Sequence, residues 1–153
     1  MTTTIPLEVE HAPGIFSFVG PTLIATTDTP TATPGFTDSR RLIRGDKITH
    51  FKFNWNIGGF AAGLPGTFEA KVIFEEMGPG EFAGGLFSAP AVPNAGVVGN
   101  PYSATVNIGP GIPDGIYRVT CLLSYLEAGV NPTPIVAFAE LSMVRVYSSA
   151  LVA

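Results

Sequence analysis

Two histidines, one cysteine and twelve acidic residues are the whole stock of groups that this chain of 153 residues offers for acid–base or metal chemistry. A serine nucleophile needs an imidazole base that a third group holds in place. His11 falls in a turn, His11-Ala12-Pro13-Gly14, and His50 on the polar side of an alternating segment beside Lys52 and Asn54. No orienting acid is visible for either, and there is no Gly-x-Ser-x-Gly elbow. Zinc takes clustered His and Cys ligands, and His11, His50 and Cys121 are too few and too scattered. Calcium takes several converging oxygens. Glu75, Glu76, Glu81 and Asp114 fall near one end of the expected fold, but no Asp-x-Asp-x-Asp-Gly loop accompanies them. Glu75 and Glu140 lie well inside strand-like segments, and nothing in their spacing makes them the two carboxylates of a glycosidase. The glycines do not lead a strand into a helix, and no Gly-Lys-Ser/Thr follows them, so no phosphate loop is present. The expectation is a protein that is not an enzyme and carries no metal or cofactor.

Cys121, the one cysteine, excludes an intrachain disulfide and falls on an inward register, where a thiol packs as a small hydrophobe. Arg44-Gly45-Asp46 resembles the integrin-binding tripeptide of adhesion loops, but three residues match often by chance and the expectation is an ordinary polar turn before a strand. Sugar-binding platforms use exposed tryptophan and tyrosine. Trp55 shares a register with Phe51 and Phe53, which places it in a core.

The elements that must position these residues alternate with period two. In Thr49 to Ile57, Phe51, Phe53, Trp55 and Ile57 share one side, and His50, Lys52, Asn54 and Asn56 the other. That is a half-buried antiparallel strand. Thr67 to Glu76 repeats the pattern with Phe68, Ala70, Val72 and Phe74 inward, and the two are expected to pair. Tyr102 to Ile108 alternates again. Pro113-Asp114-Gly115 is a turn, because proline presets one dihedral, Asp bonds back to the backbone and Gly accepts positive φ. The strand after it puts Tyr117, Val119, Cys121, Leu123 and Tyr125 on one side and Arg118, Thr120 and Ser124 on the other, with Leu122 the apolar exception. Ile135 to Tyr147 changes register between Phe138 and Val144, which predicts a β-bulge near Glu140 to Met143. Phe82 to Asn100, rich in Gly, Ala, Pro and Val, reads as a long crossover carrying at most one short strand. No segment has a helical period.

Ile5 to Glu10, Ile15 to Val19 and Thr22 to Thr26 are three short strand candidates before a Thr/Pro-rich stretch, residues 26–35. The sequence thus reads as one domain over residues 1–153, with residues 1–38 either an N-terminal arm and linker or part of the core. The fold class is all-β: a single antiparallel β-sandwich of seven to nine strands, immunoglobulin-like or jelly-roll. The start of the chain has neither the basic nor the apolar region of a signal peptide. No apolar run reaches the ~18 residues of a membrane span.

Asp114-Gly115-Ile116-Tyr117-Arg118-Val119 resembles the Asp-Gly-x-Tyr-x-Val entry to a late strand in immunoglobulin-like and fibronectin type III-like sandwiches. A core tryptophan on an earlier strand, Trp55, fits the same picture. The resemblance implies a tyrosine corner at Tyr117, which would tie a crossing loop to the core. It covers six residues and the strand spacing, and implies no activity. Cys121 lies four residues after Tyr117 and has no partner, whereas antibody-type domains place a paired cysteine two residues after the tyrosine.

Charge supplies the functional expectation. Only 13% of residues are charged, against about 25% in ordinary soluble domains. Hydrophobic residues make up 46%, and the mean hydropathy is +0.35. A net charge of −4 with no extended basic stripe argues against nucleic acid. A surface so poor in charge points either to burial in an assembly or to a secreted, Gly/Thr-rich sandwich with a neutral surface. The expected function is a non-catalytic structural or interaction module that self-associates or binds another protein. The segment holding Ile5, Leu7, Val9, Ile15, Phe16 and Phe18 would add as a strand to an open sheet edge, on its own molecule or the next. The alternative is a carbohydrate- or small-ligand-binding accessory domain, with its site near residues 82–100.

Overall fold

Period-two sequences with one apolar side must find a second apolar surface, and here two sheets supply it to each other. The computed structural model describes residues 4–10, 17–27, 42–45, 48–59, 65–78, 85–96, 101–127 and 131–147. The strands are β1 (Thr4–Pro6), β2 (Glu8–Glu10), β3 (Ser17–Thr27), β4 (Leu42–Arg44), β5 (Thr49–Gly58), β6 (Gly66–Glu76), β7 (Leu86–Ser88), β8 (Val92–Pro93), β9 (Tyr102–Ile108), β10 (Gly115–Glu127) and β11 (Asn131–Tyr147). One sheet has the order β1-β3-β5-β9. The other has the order β2-β11-β10-β6-β7, with β4 also on β11 and β8 on β6. The fold is an all-β sandwich without helices among the described residues. Every pairing is antiparallel except that of β4 with β11. Eleven strands exceed the expected seven to nine because β1, β2, β4, β7 and β8 are pieces of two or three residues laid along sheet edges.

The expected pairing of residues 49–57 with 67–76 does not occur. β5 pairs with β3 and β9, whereas β6 pairs with β10, β7 and β8. The two strands lie in opposite sheets and meet face to face. Phe51 reaches Phe74 with ring centroids 6.4 Å apart, and Trp55 reaches Phe68 at 5.4 Å. Two strands with aromatic inward sides can lie side by side or face each other. Facing brings the rings into edge-on contact, which aromatic pairs prefer.

Ser17–Thr27 is one strand, where two short candidates were expected. Val19 lies opposite Asn56 and Thr22 opposite Asn54, so β3 carries one extra residue there. Gly20, at φ 56°, makes the step. Residues 5–10 divide instead. Leu7 is buried and its N–H donates to the Pro21 carbonyl (3.0 Å), while β1 pairs with β3 in one sheet and β2 with β11 in the other. Of residues 1–38, 4–10 and 17–27 belong to the sandwich, with Leu7, Phe18, Leu23 and Ala25 in its core. The Thr/Pro-rich stretch 26–35, expected as a loop, begins inside β3 with Thr26 and Thr27, and its residues 28–35 lie outside the described residues.

β11 bulges where its sequence changes register. Val144 lies opposite Tyr117 and Leu141 opposite Val119, three residues against two. A second irregularity separates Val136↔Ser124 from Pro132↔Leu126. Prolines at 132 and 134 have no N–H to give there. Thr133 substitutes: its Oγ1 donates to the Tyr125 carbonyl (2.7 Å) and accepts from the Ile135 N–H (3.2 Å). The stretch read as a crossover carries two short strands, β7 and β8, both on β6.

Candidate functional site

The inward aromatics form a cluster at each end of the sandwich, and each has a hub on β6. Phe68 touches Phe18, Trp55, Tyr102 and Tyr125, with centroids 5.0–5.8 Å away. Phe74 touches Phe51, Phe87 and Tyr117 at 5.7–6.4 Å. Three tyrosines carry this packing out to the loops. Tyr117 donates to the Pro113 carbonyl (2.7 Å), Tyr125 to the Pro65 carbonyl (2.9 Å) and Tyr102 to Asn94 Oδ1 (3.1 Å). Asn94 also accepts from the Gly96 N–H at 2.9 Å. The Pro113-Asp114-Gly115 turn is thereby fastened to the strand that it introduces. Burial pushes the Tyr117 hydroxyl pKa up, helped by the negative charge of Glu76 and Asp114.

Trp55, on which a sugar platform would rest, is 2% exposed and stacks on Tyr102 at 5.8 Å with the rings 11° from parallel. Its indole N–H is buried and has no partner among the described residues. Gly45, the centre of Arg44-Gly45-Asp46, is packed inside. Its N–H donates to the Tyr147 carbonyl and its own carbonyl accepts from the Gly111 N–H, both at 2.8 Å. An added Cβ there would stand 2.6 Å from the Ile112 carbonyl oxygen. An adhesion tripeptide must be presented on a loop tip, and this one has its middle residue in the wall of the fold.

Cys121 is fully buried among Val72, Leu123 and Ala139, and burial pushes its thiol up to about 12. In the folded chain the thiol holds its proton far above the ordinary ~8.5 at which it ionises when unfolded. The fold therefore keeps a proton that the unfolded chain loses. The contribution of Cys121 to stability should be complete below pH ~8.5 and be lost as pH rises toward 12. In Cys121→Ala the decline between pH ~8.5 and ~10 should flatten, leaving the steeper fall above it to the raised tyrosines, Tyr117 and Tyr125. Urea midpoints across that range measure it; an equal slope in the variant refutes the assignment.

Of the acids expected at one end, Glu76 and Asp114 both stand close enough to Tyr117 to act on its hydroxyl, whereas Glu75 turns to the outer side of the sheet. Glu75 and Glu140 bracket Arg118, at 3.9 and 3.4 Å, on the outer side of the second sheet, where all three are largely exposed. Among the described residues no three His, Cys, Asp or Glu side chains form a metal-binding group. Glu81 and His11 lie outside the described residues. His50 faces outward from the first sheet and bonds Asn107 through Nδ1 at 2.6 Å.

No protein-family model, curated protein or solved structure matches the chain.

Of the residues expected to add to a sheet edge, Leu7 and Phe18 are buried, Ile5 packs against the core and Val9 is 37% exposed. Ile15 and Phe16 lie outside the described residues. Where the N-terminal segment crosses between sheets, Ile5, Pro6, Glu8, Phe138, Ala139 and Glu140 line an open hollow of about 390 Å³.

One surface was not anticipated. Leu86 lies opposite Ile73 on the outer side of the second sheet, and Leu122 lies opposite Phe138. Thr120 faces Ile73 across the β6–β10 ladder, so Leu122, two residues on, is the diagonal neighbour of Ile73. Val136 follows Phe138 on the same side. Leu86, Ile73, Leu122, Phe138 and Val136 thus run as an apolar diagonal over four strands. The Lys71–Glu69 pair borders it on one side and Arg118 with its two glutamates on the other. Leu122 and Ile73, each an apolar residue in an otherwise polar register, were its traces in the sequence.

Proposed function

We propose that this chain is a non-catalytic interaction module with immunoglobulin-like strand order, and that it associates with further copies of itself. Strand order supports the fold-level part. β3, β5 and β9 follow the order of strands A, B and E in an immunoglobulin sandwich, and β11, β10 and β6 that of G, F and C. β7 and β8 extend the second sheet beyond the C position, as C′ does in variable-type domains. Tyr117 opens the strand at the F position and bonds back to Pro113, as a tyrosine corner does. This order favours the immunoglobulin-like alternative over the jelly roll.

The apolar diagonal on the second sheet carries the functional part. Monomers rarely leave contiguous apolar patches in water, and a chain with 13% charged residues has few groups to interrupt one. Strand addition by the N-terminal segment belongs to the same reading. β1 and β2 cover the outer edges of β3 and β11, and either pairing serves equally within one molecule or between two.

Size-exclusion chromatography with light scattering tests the reading, with a discrete species above 16.0 kDa expected. A truncation of residues 1–10 removes β1 and β2 and leaves β3 whole. It should abolish or alter that species if strands are exchanged. An unchanged oligomer removes the exchange mechanism, and a monomer at all concentrations removes self-association.

A further inference from the structure

We infer that the outer edge of β9 is a self-pairing site, at which β9 of one copy adds antiparallel to β9 of a second. The two four-stranded sheets then become one sheet of eight. This rests on the self-association reading and assigns it a place.

An edge strand presents a row of unpaired N–H and C=O groups, and proteins guard such rows with brevity, proline, charge or bulges. The other edges of this sandwich are guarded. β1 has three residues and ends in Pro6. β2 and β4 have three each, and two of those in β2 are glutamates. β7 and β8 have three and two residues, with Pro90 between them and Pro93 at the end. β9 has none of these devices. It runs for seven residues, Tyr-Ser-Ala-Thr-Val-Asn-Ile, without proline, charge or bulge. It pairs with β5 in unbroken register from Trp55↔Tyr102 to Thr49↔Ile108. Among the described residues no strand lies on its other side.

A second copy fits this edge because a neutral strand meets itself without repulsion. With a twofold axis at Thr105, Thr105 faces Thr105 and Ser103 faces Asn107 on the outer side. Small polar residues of this kind pair well across strands. Ala104 then lies beside Val106, and Tyr102 beside Ile108, on the core side. On the neighbouring strand β5 the charge beside this edge is Lys52, opposite Thr105. In the joined sheet the two Lys52 side chains stand three strand spacings apart, about 14 Å, beyond the ~8 Å screening length of physiological salt. A charged partner peptide finds no countercharge on β9 to select it. Seven paired residues bury less than the ~1,200 Å² of a stable interface, so the dimer is weak and concentration-dependent.

Sedimentation velocity on the full chain over a wide concentration series tests the site, with a Ser103→Lys/Thr105→Lys double variant and, as control, Met143→Lys, which is exposed on the opposite sheet and outside the apolar diagonal. Both substituted β9 positions are exposed, so melting temperatures should stay near that of the parent. The expected result is association in the parent and the control, and at least a tenfold weaker association in the double variant. Hydrogen exchange should show alternate β9 amides gaining protection only at concentrations where the parent associates. Equal association of parent and double variant overturns the β9 site and leaves self-association standing. A parent that stays monomeric throughout overturns both.

Discussion

Phe68→Ala is expected to lose about 3–5 kcal/mol of folding stability, the range for truncating a fully buried aromatic. Phe68 is 1% exposed, and its ring contacts Phe18 on β3, Trp55 on β5, Tyr102 on β9 and Tyr125 on β10. It is thus the packing partner of four strands from both sheets. The cavity left by its removal cannot close by the shift of one neighbour, because those neighbours are held at their far ends. Tyr102 is bonded to Asn94 and Tyr125 to Pro65. A domain of this size has about 5–15 kcal/mol in total, so the variant should melt on the order of 10 °C lower. Phe87→Ala is the comparison, since that ring is only partly buried and packs on Phe74 from an edge strand. Urea midpoints rank the two. If Phe87→Ala costs as much as Phe68→Ala, the hub at Phe68 is not what joins the sheets. Trp55 fluorescence reports the same event locally, because the indole packs on both Phe68 and Tyr102.

The same contacts explain which parts of the fold could be read from the sequence. Inward and outward sides were legible because period-two alternation is a local property. Phe51, Phe53, Trp55, Phe68, Val72, Tyr117, Val119 and Cys121 all lie in the core. The bulge in β11 was legible for the same reason, as a change of register within one strand. Pairing was not legible. Nothing within residues 49–57 or 67–76 distinguishes a neighbour in the same sheet from a partner across the core, since both use the same apolar side. The division of residues 5–10 at Leu7 was hidden too, because it depends on the Pro21 carbonyl and on the two sheet edges that β1 and β2 reach. An edge is likewise a property of topology. Tyr102–Ile108 alternates like any half-buried strand, and only the sheet order shows that one of its sides is open. The apolar diagonal lies between these cases. Leu122 and Ile73 each announced it within one strand, but they join each other, Phe138 and Leu86 only through the registers of three ladders.

Gly66→Ala should be the most damaging of the small substitutions, at or above the upper end of the ~1–3 kcal/mol usual for overpacking. Gly66 begins β6 opposite Glu127. A Cβ there would stand 2.5 Å from the Leu126 carbonyl oxygen and would collide with the ring and hydroxyl of Tyr125. No flexible side chain is available to give way. The carbonyl belongs to the central ladder, and the Tyr125 ring is 2% exposed, packed on Phe68 and bonded to the Pro65 carbonyl. Relief requires either withdrawing Tyr125 from the aromatic cluster or opening the first pair of the β6–β10 ladder. Opening it also disturbs the Asn94 N–H to Gly66 carbonyl bond (2.9 Å) that holds the chain after β8. The two responses separate in a second variant. If Tyr125 is the obstacle, Gly66→Ala combined with Tyr125→Leu costs less than the sum of the two single changes, because the smaller side chain clears the Cβ. If the ladder is the obstacle, the costs add. Stability measured over this double-mutant cycle decides between them. A Gly66→Ala single variant with the parent's stability would show that neither contact is rigid.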